Sequence, residues 1–151
     1  PKYRDIGIID AKFGRNCEVV KPVNLYGCTI GNDCFIGPFV EIQKDVFIGD
    51  RCRIQSHSFL CELVTIGDDC FIAHGVMFVN DLFELGAPAR GKPQYWRPTK
   101  IGDNVSIGSN VTILPVKICS NVTIGASAVV SRDITEPGVY AGNPAKKMNK
   151  N

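Results

Sequence analysis

The chain has 151 residues, of which 44% are apolar, and its 17 basic and 15 acidic side chains leave a formal net charge of +2. This length is typical of one domain with a sizeable core, and the basic residues form no stripe, which argues against nucleic acid as a partner. No apolar run approaches the ~20 residues of a membrane span, and the polar start, residues 1–5, lacks signal-peptide anatomy. We therefore expect a cytoplasmic protein that binds neither nucleic acid nor membrane.

An apolar residue recurs every sixth position along most of the chain, often followed by glycine, and the residue four places on is small or β-branched. The series comprises Phe13, Val19, Leu25, Ile30, Ile36, Ile42, Ile48, Ile54, Leu60, Ile66, Ile72 and Phe78, then Ile101, Ile107, Ile113, Ile118, Ile124 and Val130. A period of six fits neither a helix nor one long strand, so it predicts short strands separated by regular turns.

Three hexads make one triangular coil of 18 residues, and stacked coils lie ~4.8 Å apart. The sequence therefore predicts an all-β protein, a parallel β-helix of about six coils that occupy residues 12–79 and 101–135 of a single domain. Two hexads, Leu25 to Ile30 and Ile113 to Ile118, are one residue short. Helices are expected to contribute little.

Seven cysteines occur without a Cys-x-x-Cys motif, and Cys34, Cys52 and Cys70 are spaced by 18 residues. This spacing places them one above another inside a single edge of the coil, and Cys17 joins them through the first short hexad. Parallel stacked thiols lack the converging tetrahedral arrangement that zinc needs. We therefore interpret the cysteines as core residues rather than as a metal site.

The rhythm is interrupted once, because 23 residues rather than six separate Phe78 from Ile101. Prolines and glycines in the intervening residues 80–100 predict a loop extruded from one coil, and loops on a rigid scaffold commonly contain functional residues. The loop could equally wrap around a neighbouring subunit.

The stretch 101–113 (IGDNVSIGSNVTI) and the end 139–146 (VYAGNPAK), within a C-terminal tail at 136–151, resemble the hexapeptide-repeat acyltransferases. The resemblance implies a left-handed parallel β-helix, although parallel crossovers are right-handed in ~98% of other cases and the periodicity itself does not reveal the hand. It also implies a homotrimer that binds acetyl-CoA between adjacent subunits and needs no metal.

Two further stretches, 56–59 (SHSF) and 74–81 (HGVMFVND), look like the nucleotide-sugar 3-N-acetyltransferases. That resemblance implies an acetyl transfer to the amine, most often a 3-amine, of a deoxy-amino sugar linked to dTDP or UDP. The chain departs from the dideoxyhexose branch at 82–85 (LFEL), so the sugar itself stays open.

Acetyl transfer to an alkylammonium requires a group that removes a proton. His57 and His74 differ by 17 residues, which predicts neighbouring coils at one edge, and relatives keep an asparagine at the position of Asn80. We therefore predict His74, His57 and Asn80 as catalytic residues. Two alternatives remain open: either histidine could simply cap a turn, or the CoA thiolate could accept the proton.

The predicted substrate-binding residues come from the loop and from the coil before it; they are Glu62, Asp81, Arg90, Tyr95 and Trp96. The resemblance points to the late coils and the tail for acetyl-CoA; the predicted residues are Gly108, Gly125, Ala126, Asn143, Pro144, Lys146 and Lys147. The aromatic pair could instead pack on the solenoid wall, and the two lysines could simply be solvated.

Three other functions compete with this prediction. The first is an O-acetyltransferase that acts on a sugar or another small acceptor. A zinc enzyme of the carbonic-anhydrase type is the second, although such sites use three histidines and the chain has only His57 and His74. The third is a non-catalytic scaffold, which would not bind CoA.

Overall fold

The computed structural model describes residues 1–149. It contains short strands in chain order: β1 (Ile8–Ile9), β2 (Lys12–Phe13), β3 (Glu18–Val19), β4 (Asn24–Tyr26), β5 (Thr29–Ile30), β6 (Phe35–Ile36), β7 (Glu41–Ile42), β8 (Phe47–Ile48), β9 (Arg53–Ile54), β10 (Phe59–Leu60), β11 (Val64–Ile66), β12 (Phe71–Ile72), β13 (Met77–Phe78), β14 (Thr99–Ile101), β15 (Ser106–Ile107), β16 (Thr112–Ile113), β17 (Lys117–Ile118), β18 (Val122–Ile124), β19 (Val129–Val130), β20 (Gly138–Ala141) and β21 (Lys146–Lys147). Within the described range the helical structure is one 3₁₀ turn, Pro93–Tyr95. It has neither the length nor the apolar character to span a bilayer.

The strands form three sheets, because up to β19 each strand pairs with the strand three places later in the chain; in sheet 3, β20 then pairs with β18 and β21 with β20. Sheet 1 has the seven strands β1, β4, β7, β10, β13, β16 and β19. Sheet 2 has the six strands β2, β5, β8, β11, β14 and β17, and sheet 3 has β3, β6, β9, β12, β15, β18, β20 and β21. All neighbours are parallel except β20 and β21, which confirms the parallel β-helix.

The register follows the hexads of the sequence. Phe35 pairs with Arg53 at a spacing of 18, whereas Lys12 pairs with Thr29 at 17, across the first short hexad. The second short hexad gives the same spacing between Thr112 and Val129. Sheet 1 has one strand more than the predicted coil count, because β1 adds a coil ahead of Phe13.

The core fills the centre of this prism. Sixteen of the eighteen apolar positions of the repeat are buried, and the other two, Phe13 and Val19, are partly buried in the first coils. The stacked cysteines lie in the same core as free thiols, and their sulfurs donate to glycine carbonyls of the next coil: Cys34 Sγ to Gly49 O and Cys52 Sγ to Gly67 O, both 3.1 Å. Core packing of the thiol column is therefore confirmed.

The turns that lead from sheet 2 to sheet 3, here called the glycine edge, explain the repeated Gly-Asp and Gly-Asn pairs. At this edge the carboxylate of Asp68 accepts a hydrogen bond from the backbone N–H of Asp50 (2.8 Å), and Asp50 accepts one from Asn32 (2.7 Å). A Cβ placed on Gly49 would meet the backbone carbon and oxygen of Gly67 at 2.7 Å. The coils therefore stack this closely only when the position has no side chain.

We expect Gly49→Ala to lower the free energy of unfolding by about 1–3 kcal/mol, the usual cost of overpacking, because the new methyl group must displace backbone. Gly7→Ala is the matched control, since a Cβ there meets nothing within 4 Å, and its effect should stay within about 0.5 kcal/mol. Urea unfolding of both variants tests the prediction. Equal stabilities would show that the coils can move apart at no cost.

Candidate functional site

The two histidines lie in the turns that lead from sheet 3 to sheet 1, which we call the histidine edge. Backbone bonds stack these turns coil by coil: Gly75 N donates to Ser56 O (3.0 Å), and Asn110 N donates to His74 O (2.9 Å). His74 therefore lies one coil above Ser56, and His57 lies one coil below Gly75. The expected placement of both histidines on neighbouring coils at one edge agrees with this geometry.

The two imidazoles differ in what surrounds them, although both residues are exposed. Nδ1 of His74 lies 2.9 Å from Oγ of Ser56. The ring of His57 instead stacks on Phe39, with 5.0 Å between ring centroids and 22° between the planes. A hydrogen bond thus orients His74, whereas an aromatic contact orients His57.

A row of small residues, here called the groove, runs along sheet 3 beside the histidine edge. The residues just before this edge are Ala73, Gly108, Gly125 and Ala141, and the sheet register places them on successive coils. None has a side chain beyond a Cβ atom, and over the four coils the row extends about 14 Å at ~4.8 Å per coil. Ala73 directly precedes His74, so the groove begins next to that imidazole.

The residues predicted to bind the cofactor lie along this groove and at its end. Gly108 and Gly125 form its floor, and Ala126 follows in the turn two coils above His74. A Cβ on Gly108 would lie 2.6 Å from the backbone nitrogen of Ala126, so close coil stacking also requires this glycine.

The C-terminal hairpin continues from the top of the groove. Asn143 and Pro144 are exposed in the turn between β20 and β21. Both lysines of β21 are exposed, but Nζ of Lys147 lies 3.1 Å from a carboxylate oxygen of Glu136. That carboxylate raises the pKa of Lys147. Lys146 is the more available cation for a ligand phosphate.

The extruded loop leaves the solenoid at the turns from sheet 1 to sheet 2, which we call the loop edge. Its base is closed by an antiparallel bridge between Asp81 and Trp96 and by a 2.8 Å bond from Arg97 N to Asn80 O. The solenoid resumes where Thr99 pairs with Val64. The loop is thus an insertion between two coils whose register is unaffected.

A cavity of about 480 Å³, here called the loop cavity, lies where the loop meets sheet 1. Of the residues predicted to act on the substrate, it brings together Glu62, Asn80, Asp81 and Trp96. Its floor is mostly apolar and includes Cys61, whose pKa is raised by burial to about 12, so this thiol is neutral at physiological pH.

Asn80 and Asp81 use their side chains differently. Nδ2 of Asn80 donates to the carbonyl of Glu62 at 3.1 Å, which leaves Oδ1 as an acceptor without a partner among residues 1–149. The two carboxylate oxygens of Asp81 accept bonds from the loop amides of Phe83 (2.9 Å) and Ala89 (2.8 Å). In this structure Asp81 therefore shapes the loop, and Asn80 is the residue with a free acceptor.

Two predicted substrate residues lie outside the cavity lining. Arg90 is exposed on the loop, and Tyr95 ends the 3₁₀ turn. The loop arginine that has a defined partner is Arg97, whose guanidinium forms a bidentate pair with Glu84 (2.8 and 2.9 Å). This pair stabilises the loop rather than a ligand.

The sequence analysis missed three residues of the candidate site. Tyr26 and Gln43 line the loop cavity, and burial together with the carboxylates of Glu41 and Glu62 raises the pKa of Tyr26. Cys61, Gln43 and Tyr26 occupy the position of Val79 on the three preceding coils. The repeat alone could therefore have predicted that Gln43 and Tyr26 lie beside the base of the loop. Ser56 could have been found in the same way, because it precedes His74 by 18 residues.

The histidine edge and the loop edge bound opposite sides of sheet 1. Between His74 and Asn80 the chain runs along β13, and six extended residues span up to about 20 Å. A single chain therefore places the groove and His74 together at one edge but leaves the loop cavity at the other.

Comparison with known proteins supports the fold independently. The profile of the bacterial transferase hexapeptide (six repeats) matches residues 27–62, and that of the hexapeptide repeat of succinyl-transferase matches residues 98–132. The bifunctional protein GlmU of Synechococcus sp. (strain CC9605) is 30% identical over 95% of this chain, an alignment that covers 33% of GlmU. The chain spans about a third of the length of the GlmU proteins that it matches.

Two solved structures have the same architecture. AntD, an N-acyltransferase from Bacillus cereus in complex with dTDP and 3-hydroxybutyryl-CoA, superposes with a TM-score of 0.77 at 22% identity, covering 93% of this chain and 82% of AntD. A maltose O-acetyltransferase from Clostridium difficile 630 superposes with a TM-score of 0.59 at 25% identity, covering 95% and 70%. Together with the two profiles and the 18-residue register, these matches show that the chain belongs to the hexapeptide-repeat family and folds as a parallel β-helix.

Proposed function

We propose that this protein is an acyltransferase that moves an acetyl group from acetyl-CoA to the amine of a nucleotide-linked deoxy-amino sugar, with a 3-amine as the first candidate. The observation that supports this most directly is the oriented imidazole of His74 at the start of the small-residue groove. The relatives support acyl transfer as the general reaction, because they include an N-acyltransferase bound to dTDP and a CoA thioester.

The groove suits the donor. A pantetheine arm is thin and extended, and a floor of Gly108, Gly125 and Ala141 lets it approach the backbone closely. The thioester would lie near His74, and the phosphates would then lie towards Asn143, Pro144 and Lys146 at the other end. Lys146 would contribute a positive charge there.

The loop cavity suits the acceptor. Oδ1 of Asn80 can accept a hydrogen bond from an amine, and the carboxylate of Glu62 favours a cationic group nearby. Trp96 offers an aromatic face for a sugar or a base.

Because groove and cavity lie at opposite sides of sheet 1, we propose that a homotrimer completes the site, with the loop edge of one subunit against the histidine edge of the next. Exposed apolar side chains support this assembly: Leu82, Phe83 and Leu85 on the loop and Met77 on sheet 1 are 41–58% exposed in the isolated chain. Such side chains in a cluster are typical of an interface.

In the reaction, the amine nitrogen attacks the thioester carbonyl carbon and forms the new C–N bond. Nε2 of His74 accepts the proton that this nitrogen loses. The C–S bond then breaks, and CoA leaves as a thiol after taking up that proton. Proton transfer by a positioned imidazole typically contributes 10²–10⁴ to the rate.

The test is acetyl-CoA-dependent thiol release with a panel of dTDP- and UDP-linked amino sugars and the matching hydroxy sugars. We expect release with one amino sugar and none with its hydroxy counterpart. Release with hydroxy sugars alone would show that the acceptor group is a hydroxyl and not an amine. Absence of both release and acetyl-CoA binding would reject the enzyme and favour a scaffold.

Asn80→Ala is expected to lower kcat/KM for the amino sugar by about tenfold, the effect of losing one hydrogen bond of ~1.4 kcal/mol. The KM for acetyl-CoA should not change, because Asn80 lines the loop cavity and the groove residues stay intact. Asn104→Ala is the matched control, since Asn104 is exposed at the glycine edge and bonds to Asn121. An unchanged kcat/KM in Asn80→Ala would contradict the assignment of the acceptor site.

A further inference from the structure

Ser56 and His74 are held in fixed relation by the coil itself. They are 18 residues apart in the same turn of successive coils, and the backbone bonds of Gly75 to Ser56 and of Asn110 to His74 anchor both turns. Their side chains meet at 2.9 Å between Oγ and Nδ1. This contact is therefore a product of the rigid solenoid, not of a mobile loop.

A serine hydroxyl both donates and accepts hydrogen bonds, whereas a neutral imidazole has one donor nitrogen and one acceptor nitrogen. If Oγ accepts from Nδ1–H, the proton of the neutral ring is on Nδ1 and the lone pair is on Nε2. Within residues 1–149, Nε2 of His74 has no hydrogen-bond partner of its own. Because His74 is exposed, this nitrogen is available to a ligand.

We propose that Ser56 is a positioning residue: its hydroxyl accepts the Nδ1–H bond of His74 and keeps Nε2 unprotonated for the attacking amine. This inference rests on the proposed acyl transfer and ranks the two histidines. The same bond restricts the rotation of the imidazole, so the base approaches the thioester in one orientation. Orientation of this kind is a large part of enzymatic rate enhancement.

His57 lacks the corresponding arrangement. Its ring stacks on Phe39, and neither ring nitrogen bonds to a side chain or backbone group of residues 1–149. The residue one coil above it is Gly75, which has no side chain to offer. The stack fixes the plane of this ring but selects neither tautomer.

The experiment compares Ser56→Ala, Ser56→Thr and the wild type. We expect Ser56→Ala to lower kcat roughly threefold to tenfold, as for one lost hydrogen bond, with little change in the KM for acetyl-CoA. Ser56→Thr keeps the hydroxyl and should restore most of the rate. Ser120→Ala is the matched control, because Ser120 lies at the glycine edge and its hydroxyl likewise bonds to a neighbouring coil, accepting from Asp103 N at 2.9 Å.

Ring ¹⁵N chemical shifts of the free protein give a second readout that needs no substrate. We expect neutral His74 to be mainly the Nδ1–H tautomer in the wild type and Ser56→Thr, and to shift towards Nε2–H in Ser56→Ala. An Nε2–H tautomer in the wild type would overturn the positioning role, whatever the activity. The expected tautomer in a protein inactive on every acceptor would instead overturn the proposed function while leaving the Ser56 contact intact.

Discussion

Replacing His74 with asparagine is expected to lower kcat roughly 10²- to 10⁴-fold, the usual contribution of a general base. Asparagine is similar in size and polar, so the exposed turn should fold normally, but its amide cannot take a proton from the amine. Acetyl-CoA should bind with unchanged affinity, because the groove floor consists of Gly108, Gly125 and Ala141. Steady-state kinetics and calorimetric titration with acetyl-CoA measure the two quantities separately.

The double variant His74→Asn with Ser56→Ala sharpens this test. If Ser56 acts only through the imidazole, its removal should have no further effect once His74 is absent, so the two losses should not add. Additive losses would mean that Ser56 contacts the substrate itself. A normal rate in His74→Asn would instead show that the departing CoA thiolate accepts the proton.

The sequence was sufficient for the solenoid because every coil repeats the same physical demands. Three features recur at a fixed spacing: an inward aliphatic residue, a glycine where adjacent coils come close, and a small residue inside each turn. This spacing sets the register. The 18-residue interval of Cys34, Cys52 and Cys70 thus predicted a buried column, and the short hexads appear as registers of 17. The first coil was not predicted, because its β1 residues, Ile8 and Ile9, precede the regular repeat and are exposed.

The loop could not be predicted to the same depth, since no repeat constrains it. Asp81 was expected to hold the substrate, but in the structure its oxygens hold the loop amides of Phe83 and Ala89. Such an intraloop contact depends on the path of the chain between Asp81 and Trp96. Periodicity contains no information on that path.

The sequence also could not predict how the two halves of the candidate site, which lie on opposite sides of sheet 1, come together. Register predicts the coil and the edge on which a residue lies, and it correctly placed His57 and His74 together. It does not predict which edges of two separate chains meet. The pairing of the groove with a loop cavity therefore has to be tested on the assembled protein, by the panel and the Asn80 variant.

The free energy of unfolding is expected to fall between pH 9 and pH 11, by up to about 1.4 kcal/mol per pH unit from the Cys61 thiol. Burial raises the pKa of the Cys61 thiol to about 12 and also raises that of Cys28, whereas an unfolded thiol titrates near 8.5. Above pH 9 the unfolded chain therefore binds fewer protons than the folded one, so the free energy of unfolding falls as pH rises. The contribution is complete below about pH 8.5 and is lost towards pH 12.

Cys61→Ala isolates one of these thiols. At neutral pH it should destabilise the protein modestly, because it leaves a small void. Relative to the wild type, however, the variant should regain up to about 1.4 kcal/mol per pH unit between pH 9 and pH 11, since it has no thiol to ionise on unfolding. Val64→Ala is the matched control, because Val64 is equally buried but does not titrate. Urea unfolding in reductant measures the loss of unfolding free energy relative to the wild type. This loss should be independent of pH for Val64→Ala and should shrink with rising pH for Cys61→Ala. If it were independent of pH for both variants, the Cys61 thiol would ionise as readily in the folded protein as in the unfolded chain.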